Sequence, residues 1–309
     1  MKNKFWRDKT TVFDIANIAL LSLFALLCLY PFVNIIALSL NTGTDSMRGG
    51  ITIWPRELTF ANYIMVFRNG HVINAYRITI LRTVIGTLST IAITALAAYG
   101  LAEKSLPCKK AIMTFMLVTM FFSGGLIPSY LVLRTLKLTN TFWIYVVPGL
   151  FHAWTCIVMK TSFQEIPQSL KESIRIDGGN EFTILRHIVL PVSKSMFAAL
   201  GLFAAVNHWN DWFSGMYYVR DKSLVPVQTY LYQIMSMDIA MMTEKIQTQG
   251  IGAMQGRMAG TLGIGGIAKI TSMSLKMAIV VVGTAPILIA YPFLQKYFIK
   301  GVLIGSIKE

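Results

Sequence analysis

Four adjacent residues, Trp209, Asn210, Asp211 and Trp212, combine side chains that can bind a polyhydroxylated molecule. The two tryptophans offer aromatic faces, and the amide and carboxylate between them can hydrogen-bond hydroxyl groups. Asp211 interrupts an apolar run, where a carboxylate costs about 2.5 to 3.5 kcal/mol, so it should face a cavity or a partner. These four residues are our candidate substrate pathway. The alternative is an interfacial aromatic belt in which Asp211 only caps the wet end of a span.

A second polar segment, PQSLKESIRIDGGNEFTILRHIVLP, runs from Pro167 to Pro191 between two hydrophobic runs. Proline suits the first turn of a helix, and Leu170 and Ile174 lie four residues apart on one predicted face. The charged side chains should fall largely on the other face: Lys171, Glu172 and Arg175. A first short amphipathic helix is therefore predicted.

The middle of this segment predicts a sharp turn and a second helix. Asp177, Gly178 and Gly179 cannot continue a helix cheaply, because glycine costs roughly 1 kcal/mol against alanine in a helix interior. Asn180 is a good N-cap, and Glu181 is favourable in the first turn. The second helix has an apolar stripe that should end at a proline: Ile184, Leu185, Ile188 and then Pro191. The product is an amphipathic hairpin at a membrane surface, or an ordinary interfacial loop with no partner.

The familiar sequence signatures of catalysis and nucleotide binding are missing. The chain has no G-x-x-x-x-G-K-[ST] phosphate loop, no Gly-x-Ser-x-Gly elbow and no His-Glu-x-x-His zinc motif. The glycine-rich stretch from Gly260 to Lys269 lacks the context of a dinucleotide site. The four histidines are far apart in sequence, and the three cysteines have no metal or disulfide spacing. We expect no catalytic residue, cofactor site or metal site on this chain.

The composition is that of a membrane protein. The 309 residues are 54% hydrophobic and 14% charged, and the mean hydropathy is +0.58. A crossing helix needs about 20 apolar residues, and lipid-exposed segments must satisfy their own backbone hydrogen bonds. We predict an all-α membrane protein with six transmembrane helices, at about residues 12–40, 78–102, 111–133, 138–159, 195–219 and 277–299.

Lysine and arginine near the span ends predict the orientation. Both termini and the polar hairpin should be cytoplasmic, because basic residues gather in those connections. This gives cytoplasmic tails at 1–11 and 300–309, a six-span domain at 12–299, a cytoplasmic hairpin at 165–191 and a long extracellular loop at 220–275. The net charge of +14 fits anionic lipid, and no stacking platform for a nucleic acid accompanies it.

The order of residues in the hairpin resembles the cytoplasmic coupling loop of the membrane subunits of binding-protein-dependent ABC importers. That family pattern is Glu-Ala-Ala, a gap, Gly, and a longer gap to Ile-x-Leu-Pro. The matching positions are Glu172, Gly178, Ile188, Leu190 and Pro191. The departures are Ser173 and Ile174 in place of the two alanines, and Gly179 in place of the common alanine after glycine.

The two ends of the chain add a resemblance to sugar-importer permeases of the maltose-permease-like superfamily. The stretch from Tyr291 to Glu309 looks like their carboxy terminus, and LAAYGLA at the end of the second span agrees with that group, as do Trp54-Pro55, Phe60 and Asn62-Tyr63. The length of the loop after Arg220, with VPVQTYLYQI, is most similar to a subgroup that handles complex or plant-derived oligosaccharides.

The resemblance implies a permease subunit that translocates a sugar or oligosaccharide across a bacterial cytoplasmic membrane. It implies a second homologous permease subunit, two ATPase subunits that bind ATP and Mg, and an extracellular solute-binding protein. It assigns ATPase coupling to Glu172, Asp177, Gly178, Gly179, Phe182, Ile188, Leu190 and Pro191.

Two other functions stay open at this point. The same architecture could import a peptide or another polar solute. A motor-free secondary transporter or membrane enzyme should carry charged residues in the middle of several spans, whereas only Asp211 interrupts an apolar run here.

Overall fold

The structure is a computed structural model, and it describes residues 12–68, 70–103, 105–236, 270–271, 273–286 and 288–289. Within these ranges the regular elements are helices, and extended pairing is limited to one bridge between Asn41 and Leu58. The predicted all-α class is therefore confirmed. The predictions for both tails, for the glycine-rich stretch and for the motif after Tyr291 lie outside the described residues. The chain divides into two compact units, 1–69 with 235–282 and 70–234 with 283–309.

The first unit begins with α1 (Val12–Ser39), whose apolar window has a mean hydropathy of 2.3 and is not buried within the chain. Pro31 lies inside α1 without ending it. Two shorter helices follow, α2 (Gly43–Ser46) and α3 (Ala61–Arg68). Asn62 of α3 is fully buried, and its amide donates to the carbonyls of Ser39 (2.8 Å) and Asn41 (3.0 Å). This side chain therefore holds the end of α1 against α3.

The second unit is built around α4 (Gly70–Ala102), a helix of 33 residues with a mean hydropathy of 1.7. Two later helices pack along it, α7 (Ala153–Gln164) and α11 (Lys194–Asn210). Their shared apolar core includes Ala98, Met159 and Phe163, all fully buried. The remaining helices of this unit are α5 (Lys109–Phe121), α6 (Leu126–Thr135), α8 (Gln168–Ile176), α9 (Glu181–Ile184), α10 (Leu190–Val192), α12 (Phe213–Tyr218) and α13 (Val227–Ser236).

The helices in the third, fourth and fifth predicted spans are each interrupted. In the third, α5 and α6 meet at 119°, because the chain between them passes through Gly125 at φ +82. In the fourth, two 3₁₀ turns (Phe142–Tyr145 and Val147–Gly149) precede α7 at an angle of 48°. In the fifth, α11 ends at Asn210 and α12 begins at Phe213.

By length and composition, two of the described helices could each cross a membrane, α1 and α4. The number of crossings rises to five if each of three bent pairs is one span: α5 with α6, the 3₁₀ turns with α7, and the segment Glu181–Val192 with α11. The described part of the sixth predicted span is the apolar helix Met273–Pro286, with residues 288–289.

Candidate functional site

The polar hairpin between α7 and α11 has the predicted helix, turn and helix. Gly178 adopts φ +77, a conformation that glycine reaches without the steric cost of a Cβ atom. The amides of Gly178 and Gly179 donate to the carbonyls of Arg175 (3.2 Å) and Ile174 (2.8 Å), which satisfies the end of α8. The side chain of Asn180 accepts from the amide of Thr183 at 2.9 Å, so the predicted N-cap is confirmed.

The turn is tightly packed at Gly179. A Cβ atom on this residue would lie 2.3 Å from Cγ2 of Ile174 and 3.0 Å from its carbonyl oxygen. Ile174 and Gly179 are the positions where the importer pattern has alanines. The two departures compensate each other, because the larger side chain on α8 fills the space that a methyl group at Gly179 would need.

The buried face of α8 differs from our prediction. Lys171 is only 2% exposed, whereas Leu170 is exposed. The reason is that α8 lies against Tyr99 of α4, so that the stem of Lys171 is covered and its Nζ atom lies 6.0 Å from the centroid of that ring. The predicted grouping of Lys171 with the outer charged residues was therefore wrong.

The second helix ends at Val192, one residue after the predicted stop at Pro191. A wide π-helical turn (Leu185–Val189) leads into α10, and the helical path continues through Pro191 to Val192. The break comes at Ser193, where the direction changes by 82°. The π turn shifts the hydrogen-bond register, and Pro191, which has no N–H to donate, lies in the last turn before the break.

The hairpin buries one face on the bundle and exposes the other. Ile184, Leu185 and Val189 are buried in the core shared by α4, α7 and α11. Ile176 and Phe182 are 86% and 64% exposed on the opposite side. Of the eight residues assigned to ATPase coupling, six are exposed and two are half-buried: Glu172, Asp177, Gly178, Phe182, Leu190 and Pro191 against Gly179 and Ile188.

Charged and polar groups join the hairpin to the end of α4. The hydroxyl of Tyr99 donates to Oε2 of Glu181 at 2.6 Å. Oε1 of Glu181 accepts from Nη2 (2.8 Å) and Nε (3.1 Å) of Arg175, whose Nη2 also lies 3.8 Å from Oε1 of Glu103. The hydrogen bond from Tyr99, together with Arg175, holds the pKa of Glu181 below its usual range. Glu181 likewise raises the pKa of Arg175. Tyr99 lies in the LAAYGLA stretch, and its position in the sequence does not by itself indicate the contact with Glu181.

The second candidate site lies at the break between α11 and α12. Asp211 forms an ion pair with Nη2 of Arg82 on α4, and its carbonyl accepts from Nη1 of the same side chain at 2.9 Å. Arg82 is 1% exposed, with Cζ 4.4 Å from the centroid of the Tyr145 ring. The other carboxylate oxygen of Asp211 accepts from the amide of Ser214 at 3.0 Å.

Sequence reasoning missed Arg82. The second predicted span, at about residues 78–102, contains this arginine, but we counted only Asp211 as a charged interruption of an apolar run. Asp211 is therefore not the only charged residue within the membrane helices. The partner that we expected for it is an arginine of the same chain, 129 residues away.

The neighbours of Asp211 differ in their surroundings. Trp212 stacks on Tyr232 of α13, with the ring centroids 4.0 Å apart and the planes at 14°. Trp209 is half-buried, and its indole Nε1 is buried without a hydrogen-bond partner. Asn210 is exposed. The four residues thus lie at one helix break, in different surroundings.

Groups of three or more His, Cys, Asp or Glu that could hold a metal ion are absent from the part of the chain that the structure describes.

Bent apolar helices around a long central span, with an exposed polar hairpin between two of them, define a helical membrane-transport subunit. The chain belongs to the family of binding-protein-dependent transport system inner membrane components, whose sequence profile matches residues 72–304.

Relatives in this family match nearly the whole chain. The polygalacturonan/rhamnogalacturonan transport system permease protein YtcP of Bacillus subtilis (strain 168) is 35% identical over 97% of this chain and 99% of its own length. Protein LplC of the same organism is 35% identical over 96% of this chain and 95% of its own length. The arabinooligosaccharides transport system permease protein AraQ of Halalkalibacterium halodurans is 23% identical over 92% of both chains.

Solved structures have the same fold. A chain of a bacterial ABC transporter involved in the import of the acidic polysaccharide alginate superposes with a TM-score of 0.81 at 26% identity, covering 96% of this chain and 100% of that one. A chain of the bacterial alginate ABC transporter in complex with an alginate pentasaccharide-bound periplasmic protein superposes with a TM-score of 0.53 at 15% identity. This second similarity supports the fold alone.

Proposed function

We propose that this chain is the membrane-spanning permease subunit of an ATP-driven ABC importer that translocates a sugar or oligosaccharide delivered by an extracellular binding protein. The observation that carries this proposal is the hairpin. It has the importer pattern in sequence, its inner face is packed on the bundle, and its outer face leaves Glu172, Ile176 and Phe182 exposed. An exposed apolar surface with charges at its edge is typical of a protein docking site.

The proposed coupling mechanism follows from this arrangement. Glu172 makes a charged or hydrogen-bonded contact in a cleft of an ATPase subunit, with Phe182 as an apolar anchor beside it. Gly178 permits the bend, and Leu190 and Pro191 return the chain toward the fifth span. ATP and Mg bind to the two ATPase partners, and this chain holds no cofactor of its own. A second homologous permease subunit forms the other wall of the pathway.

The proposed topology has six spans with both termini in the cytoplasm of a bacterial cell. Two spans are α1 and α4, and two more are the bent pairs α5 with α6 and the 3₁₀ turns with α7. The fifth is α11 followed by α12, and the sixth begins with the helix Met273–Pro286. The proposed domain limits are those read from the sequence: tails at 1–11 and 300–309 around a six-span domain at 12–299. The hairpin at 165–191 is cytoplasmic and the loop at 220–275 extracellular.

Substrate class is proposed from the relatives. The names of YtcP, AraQ and the alginate importer all refer to polysaccharides or oligosaccharides. Fragments of acidic and plant polysaccharides are therefore the first candidates, with a peptide or another polar solute as the alternative. Within this chain, Asn210 is the most accessible member of the proposed substrate pathway. Trp209, Asp211 and Trp212 support the pathway wall around it.

The first test is purification of the tagged chain in mild detergent. We expect an ATPase subunit and a second permease to co-purify, and uptake of a labelled oligosaccharide into proteoliposomes to require ATP and the binding protein. Uptake that continues without ATP would favour a motor-free transporter instead. Transport of peptides, but not sugars, would leave the architecture and change the substrate class.

The coupling role of the hairpin has a separate test. Glu172→Lys should abolish uptake while membrane insertion stays normal, because the charge reversal falls on the proposed docking face. Lys110→Glu, a charge reversal at an exposed residue at the start of α5 and outside the hairpin, is the matched control. Wild-type uptake by Glu172→Lys would contradict the coupling role.

A further inference from the structure

The hairpin and α4 are far apart in sequence, and side chains alone connect them. α4 ends at Ala102 and α8 begins at Gln168. The connections to α7 and α11, in contrast, are covalent, and the one to α11 passes through the bend at Ser193. Any movement of the hairpin can therefore reach α11 through the backbone, but it can reach α4 only through contacts.

We propose that Tyr99 is a positioning residue that carries hairpin movement into α4 by fixing Glu181. The proposal rests on the coupling function proposed above. It adds a route through the second span to the two covalent routes, into the fourth span and into the fifth.

The hydrogen-bond geometry supports a direct link. Glu181 lies in the first turn of α9, and its two carboxylate oxygens accept hydrogen bonds from residues of two different helices. Oε2 accepts from Tyr99 of α4, and Oε1 accepts from Arg175 of α8. One carboxylate thus joins three helices. Hydrogen bonds to an ionised carboxylate are shorter and stronger than neutral ones, and the 2.6 Å distance to Tyr99 agrees with that.

Packing around the tyrosine ring makes this link stiff. The ring of Tyr99 packs edge-on against Phe163, with the centroids 6.5 Å apart and the planes at 68°. Lys171 covers the ring from α8. Ala98, beside it in sequence, is fully buried in the core that also holds Ile184. Close-packed interiors do not deform continuously, so a displaced hairpin should move the end of α4 with it.

The test is Tyr99→Phe in the assembled importer, reconstituted in proteoliposomes with its partner subunits. This change removes the hydroxyl group and keeps the ring. We expect normal assembly and continued ATP hydrolysis, but uptake per ATP hydrolysed should fall by about three- to tenfold, as for one hydrogen bond to a charged group at a partly exposed site. Tyr217→Phe, on α12, is the control and should keep the wild-type ratio.

Glu181→Gln provides the second measurement. If Tyr99 acts through Glu181, the double variant should have nearly the same uptake per ATP as the worse single variant. Losses that multiply would show independent roles and overturn the proposal. A Tyr99→Phe importer that is less abundant but has the wild-type uptake per ATP hydrolysed would also overturn the proposal, because a purely structural role predicts that result. A wild-type importer without ATP-dependent uptake would contradict the proposed function itself.

Discussion

At the scale of single residues, two features of the chain depend on one neighbour each. The turn of the hairpin has no room at Gly179, because Ile174 occupies the space. The break in the fifth span carries Asp211, whose charge is balanced by the buried Arg82. Substitutions at one or both members of each pair can therefore test the two contacts.

The contact between Gly179 and Ile174 predicts that a second substitution can restore the stability lost by a first. Gly179→Ala should destabilise the protein by about 1 to 3 kcal/mol, the usual cost of overpacking, because the new methyl group would lie 2.3 Å from Ile174. Ile174→Ala in the same chain should recover most of the loss. Thermal unfolding of the purified variants measures this, and a double variant no more stable than Gly179→Ala would contradict the steric explanation.

The ion pair predicts that removing only one of its partners destabilises the protein more than replacing both. Arg82→Ala should destabilise by about 3 kcal/mol or more, because it leaves Asp211 without its compensating charge. The double variant Arg82→Met, Asp211→Asn should be more stable than Arg82→Ala. Arg77→Ala, at an exposed arginine of the same helix, is the control and should change the unfolding midpoint little. Equal midpoints for Arg82→Ala and Arg77→Ala would show that the pair does not stabilise the fold.

At the scale of elements, the hairpin is a docked unit rather than a loop. Its buried residues share the core of α4, α7 and α11, and its turn is closed by backbone hydrogen bonds and an asparagine cap. The polar link through Glu181 lies at the edge of this core, where solvent pH can act on it.

The link predicts a pH dependence. Because the folded protein lowers the pKa of Glu181, the ionised form stabilises the docked hairpin at neutral pH, and this stabilisation is lost as pH falls through the lowered pKa, below the ordinary glutamate value of about 4.3. Thermal stability of the wild type should therefore fall more steeply in acid than that of Glu181→Gln. Tyr99→Phe should reduce the difference, since it removes the main cause of the shift. Identical acid profiles would be inconsistent with this link.

At the scale of the whole molecule, the breaks within the apolar helices decide how the chain crosses the membrane. Six spans require that α5 with α6, the 3₁₀ turns with α7, and α11 with α12 each count as one crossing. The hairpin and the loop after α12 then lie on opposite sides.

Cysteine labelling in intact cells tests this topology. In a background with Cys28, Cys108 and Cys156 replaced, Lys222→Cys should react with an impermeant thiol reagent from outside, and Ser169→Cys should react only after the membrane is opened. Both positions are exposed, so accessibility within the protein does not limit the reaction. External labelling of Ser169→Cys would place the hairpin on the wrong side for an ATPase.

The sequence by itself determined the helical class, the hairpin, its glycine turn at Gly178 and its cap at Asn180. These features are local, because backbone conformation and capping depend on residues a few positions away. The tertiary structure alone decided that Lys171 is buried, that Arg82 pairs with Asp211 and that Tyr99 holds Glu181. The partners in the last two pairs are 129 and 82 residues apart. Only the packing of α4 against α11 and the hairpin brings them together, and no spacing in the sequence encodes that contact.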